Sequence, residues 1–197
     1  MVVVCVFGDS IAWGAGDFET GGWVARLNNH LQKTTGGQVY NCGIRGDDTN
    51  GLLQRFEVEG RARAPDVVIF AIGINDSEFE TSGRGTRVKT EAFRKNIGML
   101  IDKAKKITNK IAYVGLTRVD ESKTTSIPGE DIEYRNDDIS RYDAAIEELC
   151  KANHITYVKM ADVLKSKDLD DGLHPNSAGH EKMFERVRDV LSKERML

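Results

Sequence analysis

Four short turns of this 197-residue chain carry residue types that are suited to acyl transfer. The first turn ends in Ser10, the second holds Gly46, the third holds Asn75, and the last holds Asp171 and His174. A serine hydroxyl becomes a strong nucleophile only when a base takes its proton, and an imidazole does this best near neutral pH. A carboxylate then orients the imidazole, and fixed N–H donors stabilise the oxyanion that forms. This set of residues indicates a serine hydrolase or a related acyl-transfer enzyme.

Two of these positions have a neighbour that offers the same chemistry. Asp170 is a rival to Asp171, but the Asp-x-x-His spacing favours Asp171, because the intervening turn can fold its carboxylate back onto the imidazole. Gly43 is a rival to Gly46 as a backbone N–H donor. We prefer Gly46, and both glycines stay candidates at this point. Asn75 supplies a side-chain N–H.

Other readings of the same residues are weaker. Gly-Asp-Ser or Gly-x-Asn-Asp alone is most often an ordinary turn. Only the four turns together, in this order along the chain, indicate catalysis. A metal site formed by Asp171, His174 and His180 has no recognised ligand spacing, so we expect no metal and no organic cofactor. The glycines at positions 8, 14 and 16 do not form a dinucleotide-binding loop.

Two further residues are candidates for substrate binding. Trp13 follows Ser10 by three positions, and we predict that it lines the acyl pocket. Arg118 lies in a long polar segment and could meet an anionic group of the substrate.

The elements that must position these turns alternate along the chain. Apolar runs typical of buried strands occur at residues 2–7, 39–41, 67–72, 111–115 and 155–158. Between them, apolar residues recur every three or four positions, as in amphipathic helices, over residues 24–31, 93–104, 142–149 and 184–191, and residues 52–56 suggest a shorter helix. This alternation predicts one α/β domain, a three-layer α/β/α sandwich with a five-stranded parallel sheet.

Two segments, residues 77–87 and 118–136, show no regular spacing of apolar residues, which predicts irregular structure. Both follow predicted strands, so we expect them at the carboxyl edge of the sheet, where open α/β sheets bind ligands. Long loops of this kind are often functional.

Composition excludes several classes of function. The net charge of -3 and a pI near 5.9 give no basic footprint for nucleic acid. Three cysteines without paired spacing predict buried, reduced thiols. The first apolar run is too short to span a membrane and lacks the features of a signal peptide, so we expect a cytoplasmic protein. The sequence gives no indication of oligomeric state.

The sequence resembles the SGNH hydrolases, also called the GDSL esterase/lipase family. The matching blocks are Gly-Asp-Ser at residues 8–10, Gly-Ile-Asn-Asp at 73–76 and Asp-Gly-Leu-His-Pro-Asn at 171–176. The second block matches less well. Its family pattern ends in Gly-Asp-Thr, and here Asp48 is inserted between Gly46-Asp47 and Thr49. The resemblance extends over residues 2–191.

The resemblance implies a flavodoxin-like fold and a Ser10–His174–Asp171 triad. It also implies an oxyanion hole formed by the N–H groups of Ser10 and Gly46 and the Asn75 amide, with no cofactor. The implied substrates include carboxyl esters, thioesters, lysophospholipids and acetylated sugars.

Three functions compete on this evidence. A hydrolase of small acyl esters would use the residues of all four turns in catalysis. An acyltransferase would use the same residues but pass the acyl group to an alcohol. A catalytically silent binding module is disfavoured, because no triad position is lost.

Overall fold

Apolar, β-branched residues form the strands at the centre of the molecule, and the computed structural model describes all 197 residues. In chain order the strands are β1 (Val3–Gly8), β2 (Gln38–Gly43), β3 (Val67–Ala71), β4 (Phe79–Glu80), β5 (Gly85–Thr86), β6 (Lys110–Val114), β7 (Ile132–Glu133) and β8 (Thr156–Val158). The helices are α1 (Ser10–Trp13), α2 (Gly22–Thr34), α3 (Thr49–Arg63), α4 (Thr90–Lys105), α5 (Glu121–Thr124), α6 (Asn136–Asn153) and α7 (Ser177–Lys193).

The main sheet has five parallel strands in the order β2-β1-β3-β6-β8. After β1 the chain first adds β2 on one side and then β3 on the other, which creates a crevice at the carboxyl ends of these strands. Gly8 pairs with Gly43 of β2 and with Ala71 of β3, so the three strands end level with one another. The turns that follow them therefore meet at one edge.

Helices cover both faces of this sheet. α2 packs against α7, while α3 packs against α4 and α4 against α6. The buried apolar residues of the sheet and of the helices that cover it form one continuous cluster. The predicted α/β/α sandwich with a five-stranded parallel sheet is confirmed, and the one-domain organisation stays a prediction that this single core supports. None of the seven helices combines the length and the apolar character needed to cross a bilayer.

Two details differ from the sequence-based expectation. The helix over residues 52–56 is not short: α3 runs for 15 residues, from Thr49 to Arg63. The two segments expected to be irregular contain a three-stranded antiparallel sheet in the order β5-β4-β7, together with α5. These strands have two residues each, too few to show an apolar period in the sequence.

The three cysteines are free and buried, as predicted.

Candidate active site

Ser10 lies at the sharp turn between β1 and α1, and it is 6% exposed. Asp9 caps α1, since its carboxylate accepts a hydrogen bond from the N–H of Ile11 at 2.9 Å. α1 is four residues long and ends at Gly14. As the first residue of a helix, Ser10 carries an N–H that the helix cannot pair internally. The turn therefore brings a hydroxyl and a backbone donor to the edge of the sheet.

A chain of hydrogen bonds joins Ser10 to the turn before α7. The Ser10 Oγ lies 2.9 Å from His174 Nε2, and His174 Nδ1 lies 2.7 Å from Asp171 Oδ2. Asp171 Oδ1 also accepts the backbone N–H groups of Leu173 and His174, at 2.9 Å and 2.7 Å. These contacts bring together the three residues predicted to form a triad.

The ionisation of Asp171 depends on its neighbour. Burial disfavours the charged carboxylate, but hydrogen bonds from the backbone N–H and the ring of His174 outweigh this effect. The pKa of Asp171 is therefore held below its ordinary value. An ionised carboxylate at this position accepts a hydrogen bond from Nδ1–H and leaves Nε2 to face the hydroxyl.

Asp170, the rival acid, does not contact the imidazole through its side chain. Its backbone N–H donates to the His174 carbonyl oxygen at 2.7 Å, and its own carbonyl accepts from Lys123 Nζ at 3.3 Å. The Asp-x-x-His turn thus folds as the spacing predicted.

The turn that holds His174 packs tightly against the loop that follows α1. Gly16 has a left-handed backbone, with φ of 87°, and a Cβ at this position would lie 2.2 Å from the Pro175 carbonyl oxygen. Only glycine allows this approach. The loop next to the nucleophile and the turn next to the base are therefore in direct backbone contact.

His180 ties the same two regions together from within the core. Its side chain is fully buried, Nε2 lies 2.9 Å from the Ala15 carbonyl oxygen, and Nδ1 accepts the Trp23 N–H at 3.2 Å. Because Nδ1 accepts a backbone N–H, the ring is neutral and donates from Nε2, and burial lowers the pKa of His180. Because both ring nitrogens bind backbone groups, His180 is not a metal ligand together with His174.

Asn75 follows β3 in a short 3₁₀ turn (Asn75–Ser77) and is 4% exposed. Its Nδ2 donates to the Asp47 carbonyl oxygen at 2.8 Å, and its Oδ1 lies 2.9 Å from the Tyr134 hydroxyl, which also lies 2.9 Å from Glu78 Oε2. These two contacts fix the plane of the amide. An amide nitrogen has two hydrogens, so a second N–H is left to donate.

The two glycine candidates differ in what their N–H groups do. The Gly43 N–H donates to the side chain of Asn41 at 2.9 Å. The Gly46 N–H has no acceptor within the chain, and Gly46 has a left-handed backbone with nothing within 4 Å of where a Cβ would lie. Arg87 holds this loop by donating to the Gly46 carbonyl oxygen at 3.1 Å. Of the two, only Gly46 has an uncommitted donor.

Two buried carboxyl groups lie behind the site. Burial raises the pKa of Asp9 to about 7, and hydrogen bonds from the N–H groups of Ile11 and Ala12 oppose this only in part. Burial likewise raises the pKa of Asp76 to about 7, although its carboxylate accepts the N–H and the hydroxyl of Thr49 at the start of α3. Both groups brace the start of a helix.

Neither of the two predicted substrate-binding residues hydrogen-bonds to a triad residue through its side chain. Trp13 is 42% exposed, and the Arg45 guanidinium lies 5.2 Å from the centre of its ring. Arg118 lies in a groove with Ser140 and Asp143 that includes no triad residue. A role in substrate binding stays a prediction for both.

Two contact residues were missed by sequence reasoning. Tyr134 binds Asn75, and Arg87 binds the Gly46 loop and, at 3.0 Å, Asp48. Both come from the segments that read as irregular, and no motif or spacing marked them.

Comparisons with known proteins show what this chain is similar to. The model of the GDSL-like lipase/acylhydrolase family matches residues 6–182. A multidomain esterase of Ruminococcus flavefaciens is 26% identical over 168 residues, which are 83% of this chain but only 18% of that protein. The chain thus spans less than a fifth of the length of this relative.

Solved structures share the fold. A lipase/acylhydrolase from Enterococcus faecalis superposes with a TM-score of 0.80 at 21% identity, over 98% of this chain and 97% of that one. A catalytic mutant of Axe2, an acetylxylan esterase from Geobacillus stearothermophilus, superposes with a TM-score of 0.77 at 19% identity, over 96% and 94%.

Proposed function

The chain belongs to the GDSL-like lipase/acylhydrolase family and is a serine hydrolase that acts on ester bonds, and we propose that it cleaves carboxyl esters of small acyl groups through an acyl-enzyme on Ser10. The observation that carries this proposal is the hydrogen-bonded chain from Ser10 through His174 to Asp171. In Axe2, catalytic mutants replace a serine, an aspartate and a histidine. The same three residue types meet here.

In the first half of the reaction, the Ser10 Oγ attacks the ester carbonyl carbon while His174 Nε2 takes the hydroxyl proton. Asp171 stabilises the imidazolium that forms. The oxyanion accepts hydrogen bonds from the N–H groups of Ser10 and Gly46 and from Asn75 Nδ2. Removing one such donor costs about 2.7–4 kcal/mol in other enzymes. Collapse of the intermediate breaks the bond to the alcohol oxygen, which takes the proton from His174.

In the second half, water attacks the acyl group on Ser10. His174 takes a proton from the water and returns one to the Ser10 oxygen as the acid is released. The resting hydrogen bonds are then restored. No step needs a metal or an organic cofactor.

The proposal is tested with p-nitrophenyl acetate and butyrate. Ser10→Ala should abolish turnover and leave the fold intact by circular dichroism. Ser192→Ala, on the exposed end of α7, is a matched control that should keep full activity. A fluorophosphonate should add its mass to the wild type and to Ser192→Ala but not to Ser10→Ala. Undiminished turnover by Ser10→Ala would falsify the proposal, and an acyl-alcohol product formed in place of acid would favour the transferase instead.

A further inference from the structure

Arg55 is a charged residue on the inner side of α3, behind the turns that form the site. It follows Leu52 by three positions, so the two side chains lie on the same side of the helix. Leu52 is fully buried, and the Arg55 side chain is only 15% exposed. A charged group that leaves water is stable only when its new partners replace the hydration that it loses. The partners of this guanidinium therefore indicate its role.

The guanidinium of Arg55 joins three separate parts of the chain. Nη2 donates to the Gly8 carbonyl oxygen at 3.2 Å, at the end of β1, and Nη1 donates to the Cys42 carbonyl oxygen at 2.9 Å, near the end of β2. Nε and Nη2 both donate to Asp47 Oδ2, at 2.9 Å and 2.8 Å. Glu59, one turn further along α3, lies 3.3 Å from Nη1. One planar group thus fixes the relative positions of two strand ends and of the loop that follows β2.

Asp47 connects this guanidinium to the proposed oxyanion hole. It directly follows Gly46, whose N–H has no acceptor within the chain, and its carbonyl oxygen accepts Asn75 Nδ2 at 2.8 Å. A shift of the Asp47 backbone would therefore displace both of these donors at once. The third proposed donor is the N–H of Ser10, which lies only two residues after Gly8.

A glycine in the first turn of α3 gives the Asp47 carboxylate room to lie against the helix. A Cβ on Gly51 would overlap Asp47 Oδ1. Glycine destabilises a helix relative to alanine, so its presence here is explained by this close approach. Gly51 and Arg55 are four residues apart and lie on the same side of α3. The carboxylate is therefore confined between the glycine and the guanidinium.

We propose that Arg55 is a positioning residue for ester hydrolysis, which acts through Asp47 and Gly8 to hold the turns that present the three oxyanion donors. The inference rests on the proposed function. Oxyanion donors stabilise the transition state because they are fixed before the charge develops. Lysine cannot replace Arg55 in this arrangement, because an ammonium lacks the planar fork with which arginine binds a carboxylate and two carbonyl oxygens at once.

The first test is Arg55→Lys, which keeps the positive charge and loses the fork. With p-nitrophenyl acetate, kcat should fall about 10- to 100-fold, since a displacement of about 1 Å at a reacting centre can cost about 10²-fold in rate. KM should change less than about threefold, because the donors act on the transition state. Arg61→Lys, at an exposed arginine of the same helix, is the matched control and should keep the wild-type kcat. A folded Arg55→Lys variant with the kcat of Arg61→Lys would overturn the inference.

A double-mutant cycle with Asn75→Ala separates positioning from a general loss of stability. If Arg55 acts by placing the oxyanion donors, the loss of kcat from Arg55→Lys should be at least about threefold smaller once Asn75 is alanine. Losses that multiply fully would count against the inference, because residues that do not act on each other give independent effects.

Two variants on the other side of the contact decide the matter if Arg55→Lys does not fold. Asp47→Asn keeps the backbone carbonyl and removes the charge, and Gly51→Ala pushes the carboxylate away from its place. Each should lower kcat about tenfold with little change in KM. Gly98→Ala, within α4 and with nothing within 4 Å of the added Cβ, is the control for Gly51→Ala and should keep kcat.

Wild-type kcat in both Asp47→Asn and Gly51→Ala would overturn the inference. Failure of the proposed function itself would show differently, as ester turnover that survives Ser10→Ala.

Discussion

The buried imidazole of His180 donates to the carbonyl oxygen of Ala15 at 2.9 Å, which joins the first turns of α7 to the end of the helix that starts with Ser10. His174 lies just before α7, so this bond links the nucleophile and the base through the core. His180→Leu should leave the Ala15 carbonyl and the Trp23 N–H buried without partners. We expect a loss of roughly 1–3 kcal/mol in the free energy of unfolding, together with a lower kcat.

Urea unfolding and ester turnover measure both effects of this change. His180→Gln, whose amide can both donate and accept, should restore part of kcat. His30→Leu replaces a half-buried histidine on α2 outside the site and should change kcat little. Equal losses of activity in His30→Leu and His180→Leu would contradict a positioning role.

Gly16→Ala should damage the site through backbone contact. A methyl group at this position would meet the Pro175 carbonyl oxygen, and φ of 87° is strained for alanine. Gly36→Ala is the matched control, since φ of 70° carries similar strain but nothing lies within 4 Å. We expect Gly36→Ala to cost about 1–2 kcal/mol in the free energy of unfolding with kcat unchanged. Gly16→Ala should cost more and also lower kcat, and matching kcat values in the two variants would refute the argument.

Asn75 should contribute to the transition state more than to substrate binding. Asn75→Ala removes the side-chain donor, so kcat should fall about 10²- to 10³-fold while KM changes little. Tyr134→Phe keeps the donor but frees the Asn75 oxygen, and we expect a smaller loss of about three- to tenfold. Tyr40→Phe, on β2, is the control. Steady-state kinetics decide the matter, because a change confined to KM would assign Asn75 to ground-state binding.

The buried carboxyl groups of Asp9 and Asp76 predict how stability depends on pH. Each has a pKa near 3.8 without its surroundings and about 7 in the fold. Between these values the folded state keeps a proton that the unfolded state has lost. The stability from these groups is therefore full below about pH 4 and is lost as the pH rises through about 7, by about 1 kcal/mol per pH unit for each group.

Asp9→Asn and Asp76→Asn should each make the decline between pH 4 and 7 less steep, as measured by urea unfolding across this range. Asp189→Asn alters an exposed carboxyl group on α7 and serves as the control. A slope that neither buried substitution changes would mean that these carboxyl groups are ionised in the folded protein throughout this range.

The sequence predicted the main sheet and the helices well, because their signals are local. An unbroken apolar run such as residues 67–72 marks a strand buried on both faces, and its end marks the sheet edge. The level ends of β1, β2 and β3 then explain why Ser10 and Asn75 come to one edge. The side-chain contact of Asp171 with His174 followed from three-residue spacing alone.

The remaining features depend on contacts between distant residues. β4 and β7 are two residues long, and their paired residues are 52 and 54 positions apart in the chain, so neither strand shows a regular spacing of apolar residues. The partner of Asn75 Oδ1 is Tyr134, 59 residues away. The difference between Gly43 and Gly46 rests on the Asn41 side chain, which no motif records. His180 shows the same limit, because its burial and both of its backbone partners come from tertiary packing.

The hydrogen bond between Ser10 and His174 closes a loop of 164 positions. During synthesis the nucleophile therefore emerges from the ribosome 164 residues before its base. A nascent chain that ends before His174 holds a serine without its base. Catalytic competence is therefore acquired only once His174 has been made, and a fragment that ends before His174 should gain activity only when the segment of residues 174–197 is added in trans.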